Sequence, residues 1–233
     1  MNRSILVLLL VLVGLFACQE DTLRRMDYPI HGIDVSRYQA SIDWPRVAAQ
    51  DMHFVFMKAT EGGDHCDEHF PSNWWGSRRV GLLRGAYHFF RPQTPAKQQA
   101  EHYIATVYLR AGDLPPALDV EVTDGLAAPD LVREVQSWLT LVEQHYGVRP
   151  ILYTNLKFYN KYLAGHFADY PLWLARYHSR PPQTADGQAW HFWQYGDRGR
   201  LDGIDGYVDF NVFYGNWADL EALCVPNTVL SWR

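Results

Sequence analysis

From Asp27 onward the chain repeats one pattern, a short apolar, β-rich run followed by a polar or helix-like stretch. Eight runs read as strands: His31–Ser36, His53–Thr60, Leu83–Phe90, Ala117–Glu121, Pro150–Asn155, Leu172–Tyr177, Ala189–Tyr195 and Tyr207–Phe213. Helix-like segments lie between several of them, notably Ile42–Ala49, Pro95–Leu109 and Pro129–Tyr146, with Pro or Asp near their starts and Gly112 and Gly147 just past two of the ends. Such alternation predicts parallel βα units in an α/β fold. The later connections, Tyr177 to Ala189 and Gly196 to Tyr207, are rich in Gly, Pro, Gln and Asp, so helical cover is expected to be incomplete in the last third. An eight-stranded barrel fits this better than a doubly wound sheet, which would carry a Gly-rich phosphate turn after its first strand. No such turn is present, although its absence does not by itself require a closed barrel.

No long linker or low-complexity tract divides the chain after Asp27, and with 233 residues, 48% of them hydrophobic, it can bury one large core. Lys and Arg number 21 against 26 Asp and Glu, which leaves no basic footprint for a polyanion and excludes nucleic acid as a partner. The amino terminus reads differently. Arg3 precedes an apolar run from Ile5 to Ala17, thirteen residues, a length suited to a signal peptide and short for a membrane span. The run ends Leu15-Phe16-Ala17-Cys18, similar to the lipobox of bacterial lipoproteins, so residues 1–17 are expected to be removed and Cys18 to carry lipid. Residues 18–28 then form a short tether and 29–233 the folded domain. Gln19-Glu20-Asp21 is weakly similar to an export signal for the outer membrane. Cys66 and Cys224 remain as an even pair, which permits one disulfide without demanding it.

In a strand, residues two apart face the same side, about 7 Å apart. Asp119 and Glu121 of Ala117-Leu-Asp-Val-Glu121 therefore project together, as do Asp34 with Ser36 and Asp209 with Asn211. A lone Asp usually caps a helix or makes a turn. Asp34 and Asp119, however, stand inside apolar runs where an unpaired charge would cost several kcal/mol, about 2–7 kcal/mol for a polar group alone. In a barrel the carboxyl ends of the strands form the active face, and there the four acids would converge. Clustered carboxylates raise one another's pKa, giving a protonated acid beside an ionised partner, the pairing used in glycoside hydrolysis. Nine Trp, fourteen Tyr and eleven Phe supply rings for sugar faces as well as core. Tyr87, Tyr153, Trp173, Tyr177 and Trp193 are the cleft candidates. His88 and His191 lack any zinc-ligand spacing and read as core or rim histidines, so no metal is expected. No nucleophile elbow or cysteine triad stands out.

These residues resemble the lysozymes of glycoside hydrolase family 25, the Chalaropsis-type N-acetylmuramidases. The likeness runs through His31-Gly-Ile-Asp-Val-Ser-Arg-Tyr-Gln39, Ile42-Asp-Trp44, Phe54-Val-Phe-Met-Lys-Ala-Thr-Glu-Gly62, Gly85-Ala-Tyr-His-Phe-Phe-Arg-Pro92, Leu118-Asp-Val-Glu121, Leu152-Tyr-Thr-Asn155, Leu172-Trp-Leu-Ala175, Phe192-Trp-Gln-Tyr195 and Gly203–Phe213. The resemblance implies a modified TIM-like β/α barrel that cleaves the β-1,4 bond between N-acetylmuramic acid and N-acetylglucosamine, without a cofactor. It casts Glu121 as general acid, Asp119 as the partner that orients the substrate acetamido group, and Asp34 and Asp209 as the other two acids. Tyr87, Tyr153, Trp173, Tyr177, Gln194 and Asn211 form the implied substrate-binding set. Participation of the acetamido group, with retention of configuration, is the implied mechanism. The partners implied are peptidoglycan glycan strands and, through Cys18, a membrane of the cell envelope, with a monomer as the default. The loop Cys66-Asp-Glu-His69, the bulky Trp74-Trp75 and the lipobox depart from the family pattern. A chitinase-like hydrolase is an alternative, disfavoured because Leu114-Pro-Pro-Ala-Leu118 replaces the longer acidic run of such enzymes. A non-catalytic wall-binding lipoprotein is another, disfavoured by the presence of all four acids.

Overall fold

The computed structural model describes residues 21–226, so the expected signal segment and the expected lipidation site at Cys18 lie outside the described residues. Eight strands close into a barrel: β1 (His31–Val35), β2 (Phe54–Glu61), β4 (Leu83–Phe89), β5 (Ala117–Asp119), β6 (Ile151–Asn155), β7 (Leu172–Ala175), β8 (Phe192–Gly199) and β9 (Val208–Phe213). A two-residue strand, β3 (His65–Cys66), hangs on the edge of β2. The helices are α1 (Trp44–Ala48), α2 (Phe70–Arg79), α3 (Ala96–Thr106), α4 (Ala128–Tyr146), α5 (Leu156–Phe158), which runs into a π-helical turn (Tyr159–Leu163), and α6 (Trp217–Leu223). All eight expected strands are present. Among the described residues no regular helix follows β7 or β8, which is the incomplete cover expected of the last third.

One feature departs from the parallel expectation. β1 pairs with β2 in parallel, whereas β9 is antiparallel to both of its neighbours, β1 and β8. The cause is the connection: only a Gly- and Asp-rich hairpin joins β8 to β9, with no crossover helix to return the chain to the start of the barrel, and a short link of that kind forces an antiparallel partner. Asp209 therefore reaches the end of the barrel that carries Asp34 from the amino end of its strand and not from a carboxyl end.

Alternation along each strand divides the interior in two. Inward residues Phe54, Phe56, Ala117, Ile151, Tyr153, Trp173, Phe192 and Phe213 fill the barrel, while Ile33, Val35, Val55, Met57, Leu118, Leu152 and Leu174 face the helical layer. Rings dominate the inner column, with Phe56 stacked on Trp173 at a centroid separation of 4.4 Å and Phe192 edge-on to Phe56 at 5.2 Å. Two glycines make room for them. A Cβ on Gly32 would lie 2.3 Å from the Phe54 ring, and one on Gly85 would lie 2.5 Å from Phe56. Outside, α4 buries Leu131, Val135, Trp138, Leu139, Val142 and Tyr146 on one face and ends at Gly147, whose φ of 70° closes the helix. Helices α2 and α6 went unread in the sequence because two of the four residues that α2 buries, Asn73 and Ser77, are polar and blur its apolar face, and α6 spans only seven residues.

The segment ahead of β1 is part of this structure. Thr22 donates its backbone N–H to the Arg198 carbonyl at 2.9 Å, Arg25 reaches the Ser179 carbonyl at 2.7 Å, and Tyr28 packs against Trp190 and Trp193. The described part of the expected tether, residues 21–28, thus lies against the barrel wall. Because a Cβ on Gly32 would run into the fully buried Phe54 ring, Gly32→Ala is expected to cost about 1–3 kcal/mol in urea unfolding, as overpacked cores do. An unchanged midpoint would mean that the aromatic column yields more readily than its packing implies.

Candidate active site

At the carboxyl ends of β1 and β5 and the amino end of β9, alternation turns Asp34, Asp119 and Asp209 inward above the aromatic column. Glu121 follows two residues after Asp119 on the same side. Together with Tyr87, Tyr153, Trp173, Tyr177 and Gln194 they line a cavity of about 170 Å³. All four predicted acids therefore meet in one place.

Asp34 is held by amides. Its Oδ2 accepts from Asn211 Nδ2 at 2.7 Å and from Gln194 Nε2 at 2.9 Å. Each amide is oriented in turn: Asn211 Oδ1 accepts the Trp173 indole N–H at 2.7 Å, and Gln194 Oε1 accepts the hydroxyls of Tyr153 at 2.8 Å and Tyr177 at 3.1 Å. The donors leave each amide only one way round. Trp173, Gln194 and Asn211 are almost wholly buried and lie beneath the carboxylates, whereas Tyr177 is 55% exposed at the rim and Tyr87 is half-buried in the wall.

Asp34 and Asp209 face each other in the β1–β9 register. Burial pushes both carboxyls upward. Asp34 recovers part of that cost from its amide donors, while Asp209 faces the Asp34 charge and rises further, so the pair keeps one proton, carried by Asp209 and donated to Asp34. Burial also drives Asp119 well above the carboxylate range, reinforced by the Glu121 charge beside it. Glu121 is raised by burial and partly restored by hydrogen bonds from Asp119 and Asn155. Within the pair Asp119 is the group pushed further up, and the hydrogen bond between the two runs from the Asp119 side to Glu121. Asp119 Oδ1 is buried without a hydrogen-bond partner.

Two neighbours went unassigned in the sequence. Asn155 supports Glu121 while its Oδ1 caps α5 through the Phe158 N–H at 2.9 Å. Lys58, whose field lowers both Asp119 and Glu121, is tied to Glu61 at 2.5 Å. Strand parity pointed to both, since Asn155 shares a face with Tyr153 and Lys58 with Phe56. Trp193 sits elsewhere: the same parity that turns Gln194 inward turns Trp193 out of the barrel, where its indole N–H bonds the Arg176 carbonyl at 2.8 Å. It does not line the cavity.

His88 is fully buried outside the barrel wall between Thr60 Oγ1 at 2.7 Å and Gln99 Oε1 at 2.9 Å, and burial holds its pKa down to about 3. His191 is half-buried, with Nδ1 accepting the Leu172 N–H at 3.3 Å. Cys66 is exposed on β3 and Cys224 is buried after α6 in the inner cluster, and both thiols are free.

The profile of Glycosyl hydrolases family 25 matches residues 33–204. The chain is 50% identical over 200 residues to YegX of Escherichia coli K12, covering 84% of this chain and 73% of that protein. It is 34% identical over 208 residues to lysozyme M1 of Streptomyces globisporus, covering 83% of this chain and 71% of that one. Among solved structures, a family 25 glycosyl hydrolase from Bacillus anthracis superposes with a TM-score of 0.83 at 34% identity, covering 88% of this chain and 98% of that one. The eight-stranded barrel, the acids at its mouth and these likenesses agree: the chain is a glycoside hydrolase and belongs to glycosyl hydrolase family 25.

Proposed function

We propose that the protein is a muramidase that cleaves the β-1,4 bond between N-acetylmuramic acid and N-acetylglucosamine in peptidoglycan, with Glu121 as general acid. The observation that carries this reading is Asp119 Oδ1, a buried carboxylate oxygen that lines the cavity beside Glu121 and has no partner. A buried acceptor of this kind calls for an N–H donor, and an acetamido group on the sugar supplies one. Donation to Asp119 favours its ionised form. The proton shared within the pair then moves to Glu121, where it can be given to the glycosidic oxygen as the bond breaks. The acetamido oxygen attacks the anomeric carbon from the opposite side, forming an oxazolinium that water opens with net retention, while Asp119 stabilises the charge on its nitrogen. Ionised Asp34, fixed by Gln194 and Asn211, adds negative potential beneath the oxocarbenium-like centre. Tyr87 and Tyr177 offer ring surface and hydroxyls to the sugar. Tyr153, Trp173, Gln194 and Asn211 act through the orientation of Asp34.

Localisation follows the sequence: Cys18 is taken as a lipid anchor that fixes the enzyme to a membrane of the cell envelope. Palmitate labelling is expected in the full chain and is expected to disappear in Cys18→Ala, and persistence of the label would remove the anchor.

Protein lacking residues 1–18 is expected to release soluble fragments from peptidoglycan whose new ends, after borohydride reduction, are muramic acid by mass spectrometry. Reduced glucosamine ends would overturn the specificity, and no release would overturn the enzymatic reading. Glu121→Gln is expected to lower kcat by about 10²–10⁴-fold, the usual span for a general acid. The Asp34–Asp209 proton gives a separate test. An unfolded aspartate ionises near pH 4, whereas Asp209 keeps its proton in the fold to higher pH. The folded state then binds the proton more tightly, so stability falls as pH rises from about 4 through the neutral range. Asp209→Asn replaces the proton with an amide donor. It is expected to raise the melting midpoint by about 3–8 °C at pH 8 and leave it unchanged at pH 4, at the expense of activity.

A further inference from the structure

A second and larger cavity, about 610 Å³, opens directly from the site, sharing Glu121, Tyr153 and Tyr177 with it. Its remaining walls come from the end of β6 with the start of α5, and from the end of β7 with the loop that follows it: Asn155, Leu156, Lys157, Ala175, Arg176 and His178. Glu121, at the end shared with the catalytic cavity, is the sole acid among them. The contrast with the molecule is strong, because the chain carries a net charge of −5 and four carboxylates crowd the adjoining cavity.

The three basic groups differ in how they are held. Arg176 is fixed, with Nη1 donating to the Pro181 carbonyl at 2.6 Å and its backbone N–H donating to the Gln194 carbonyl at 2.9 Å. His178 uses Nδ1 to accept the Arg180 N–H at 2.9 Å, leaving its other nitrogen for the cavity. Lys157 is exposed, and no carboxylate among the described residues pairs with it, although the surface offers many acids. A lysine standing unneutralised in a cleft continuous with a glycan site is placed to receive an anion.

We infer that this cavity is a subsite for carboxylates on the lactyl-peptide arm of a muramic acid, read by Lys157 with Arg176 and His178. The inference rests on the muramidase reading and deepens it. Glycan sugars in peptidoglycan are themselves uncharged, and their negative charge resides on the arm that leaves the ring at O3. An arm directed along the β6–β7 side of the cleft carries its carboxylates past Glu121 into a positive field, while Leu156 and the Tyr177 ring provide apolar contact for the peptide. In chains that carry stems the lactyl carboxyl is tied up in its amide bond to the peptide, so the free carboxylates of the arm are those of the peptide, and they are the expected source.

The test uses three soluble glycan substrates: chains with intact peptide stems, the same chains with carboxylates converted to amides by carbodiimide and ammonia, and chains stripped of stems by an amidase. The readout is the ratio of kcat/KM on intact over amidated chains, for wild type, Lys157→Glu and Lys157→Arg. Wild type is expected to favour intact chains, the advantage is expected to fall about three- to tenfold in Lys157→Glu through KM, as for a partly exposed ion pair, and Lys157→Arg is expected to retain it. Rising salt is expected to shrink the wild-type advantage. If the Lys157→Glu penalty is as large on stripped as on intact chains, the lactyl carboxylate replaces the stem as the ligand and the peptide assignment is overturned. Equal ratios in wild type and Lys157→Glu overturn the subsite while leaving the muramidase intact. Failure of wild type on all three substrates overturns the muramidase reading and this one with it.

Discussion

The structure turns on one closure. β1 accepts a parallel neighbour, β2, along one edge and an antiparallel neighbour, β9, along the other, and the barrel exists because β1 serves both. The antiparallel register sets Asp34 directly opposite Asp209. In an all-parallel barrel the last strand would bring its carboxyl end to this face, and Phe213 and its neighbours would stand where Asp209 does. The short hairpin from β8 thus does what a crossover helix could not: it delivers an acid from the beginning of a strand to the mouth of the barrel, within reach of an acid from the end of another.

Four carboxylates in a space this small cannot all be ionised. The fold divides them into two pairs and treats the pairs differently. Asp34 receives two amide N–H donors whose own acceptors are occupied by Trp173, Tyr153 and Tyr177, so its ionised form is favoured by neutral donors held in place. Asp119 receives no such support on Oδ1. The first pair has a carboxylate whose donors are fixed in place, whereas the second keeps a buried acceptor open beside the cavity. Stability is given up at the second pair, as expected where a site must respond to what it binds.

How much of this was legible follows from strand parity. Asp119 and Glu121 two apart in an apolar run declared a common face, and so did Asp209 with Asn211, because alternation survives whichever way a strand runs. Direction does not leave such a mark. Nothing in Tyr207–Phe213 distinguishes a parallel from an antiparallel strand, and only the lack of helix-forming sequence between β8 and β9 hinted at it. Aromatic identity misled where parity would have served: Trp193 and Gln194 are adjacent, and the polar residue is the one facing in. Asn155 and Lys58 shared faces with recognised positions but lacked the chemical signature of an acid. Helix α2, with Asn73 and Ser77 on its buried face, is held by burial of Phe70 and Trp74 against the barrel, a tertiary cause that its apolar pattern does not record.

The aromatic column beneath the acids links packing to chemistry. Phe54, Phe56, Phe192 and Phe213 are fully buried and touch ring to ring, with Trp173 at the top of the stack. Below the carboxylates lie buried rings and the two fixed amides of Gln194 and Asn211, and the low local dielectric of this packed floor raises the cost of every charge placed on it. Trp173 joins the two layers, since its ring stacks on Phe56 while its N–H orients Asn211 toward Asp34. Gly32 and Gly85 let the rings approach the wall closely enough to exclude solvent. The same residues that hold the barrel together therefore hold the protons in place, and a loosened column would weaken the acid chemistry before it unfolded the protein.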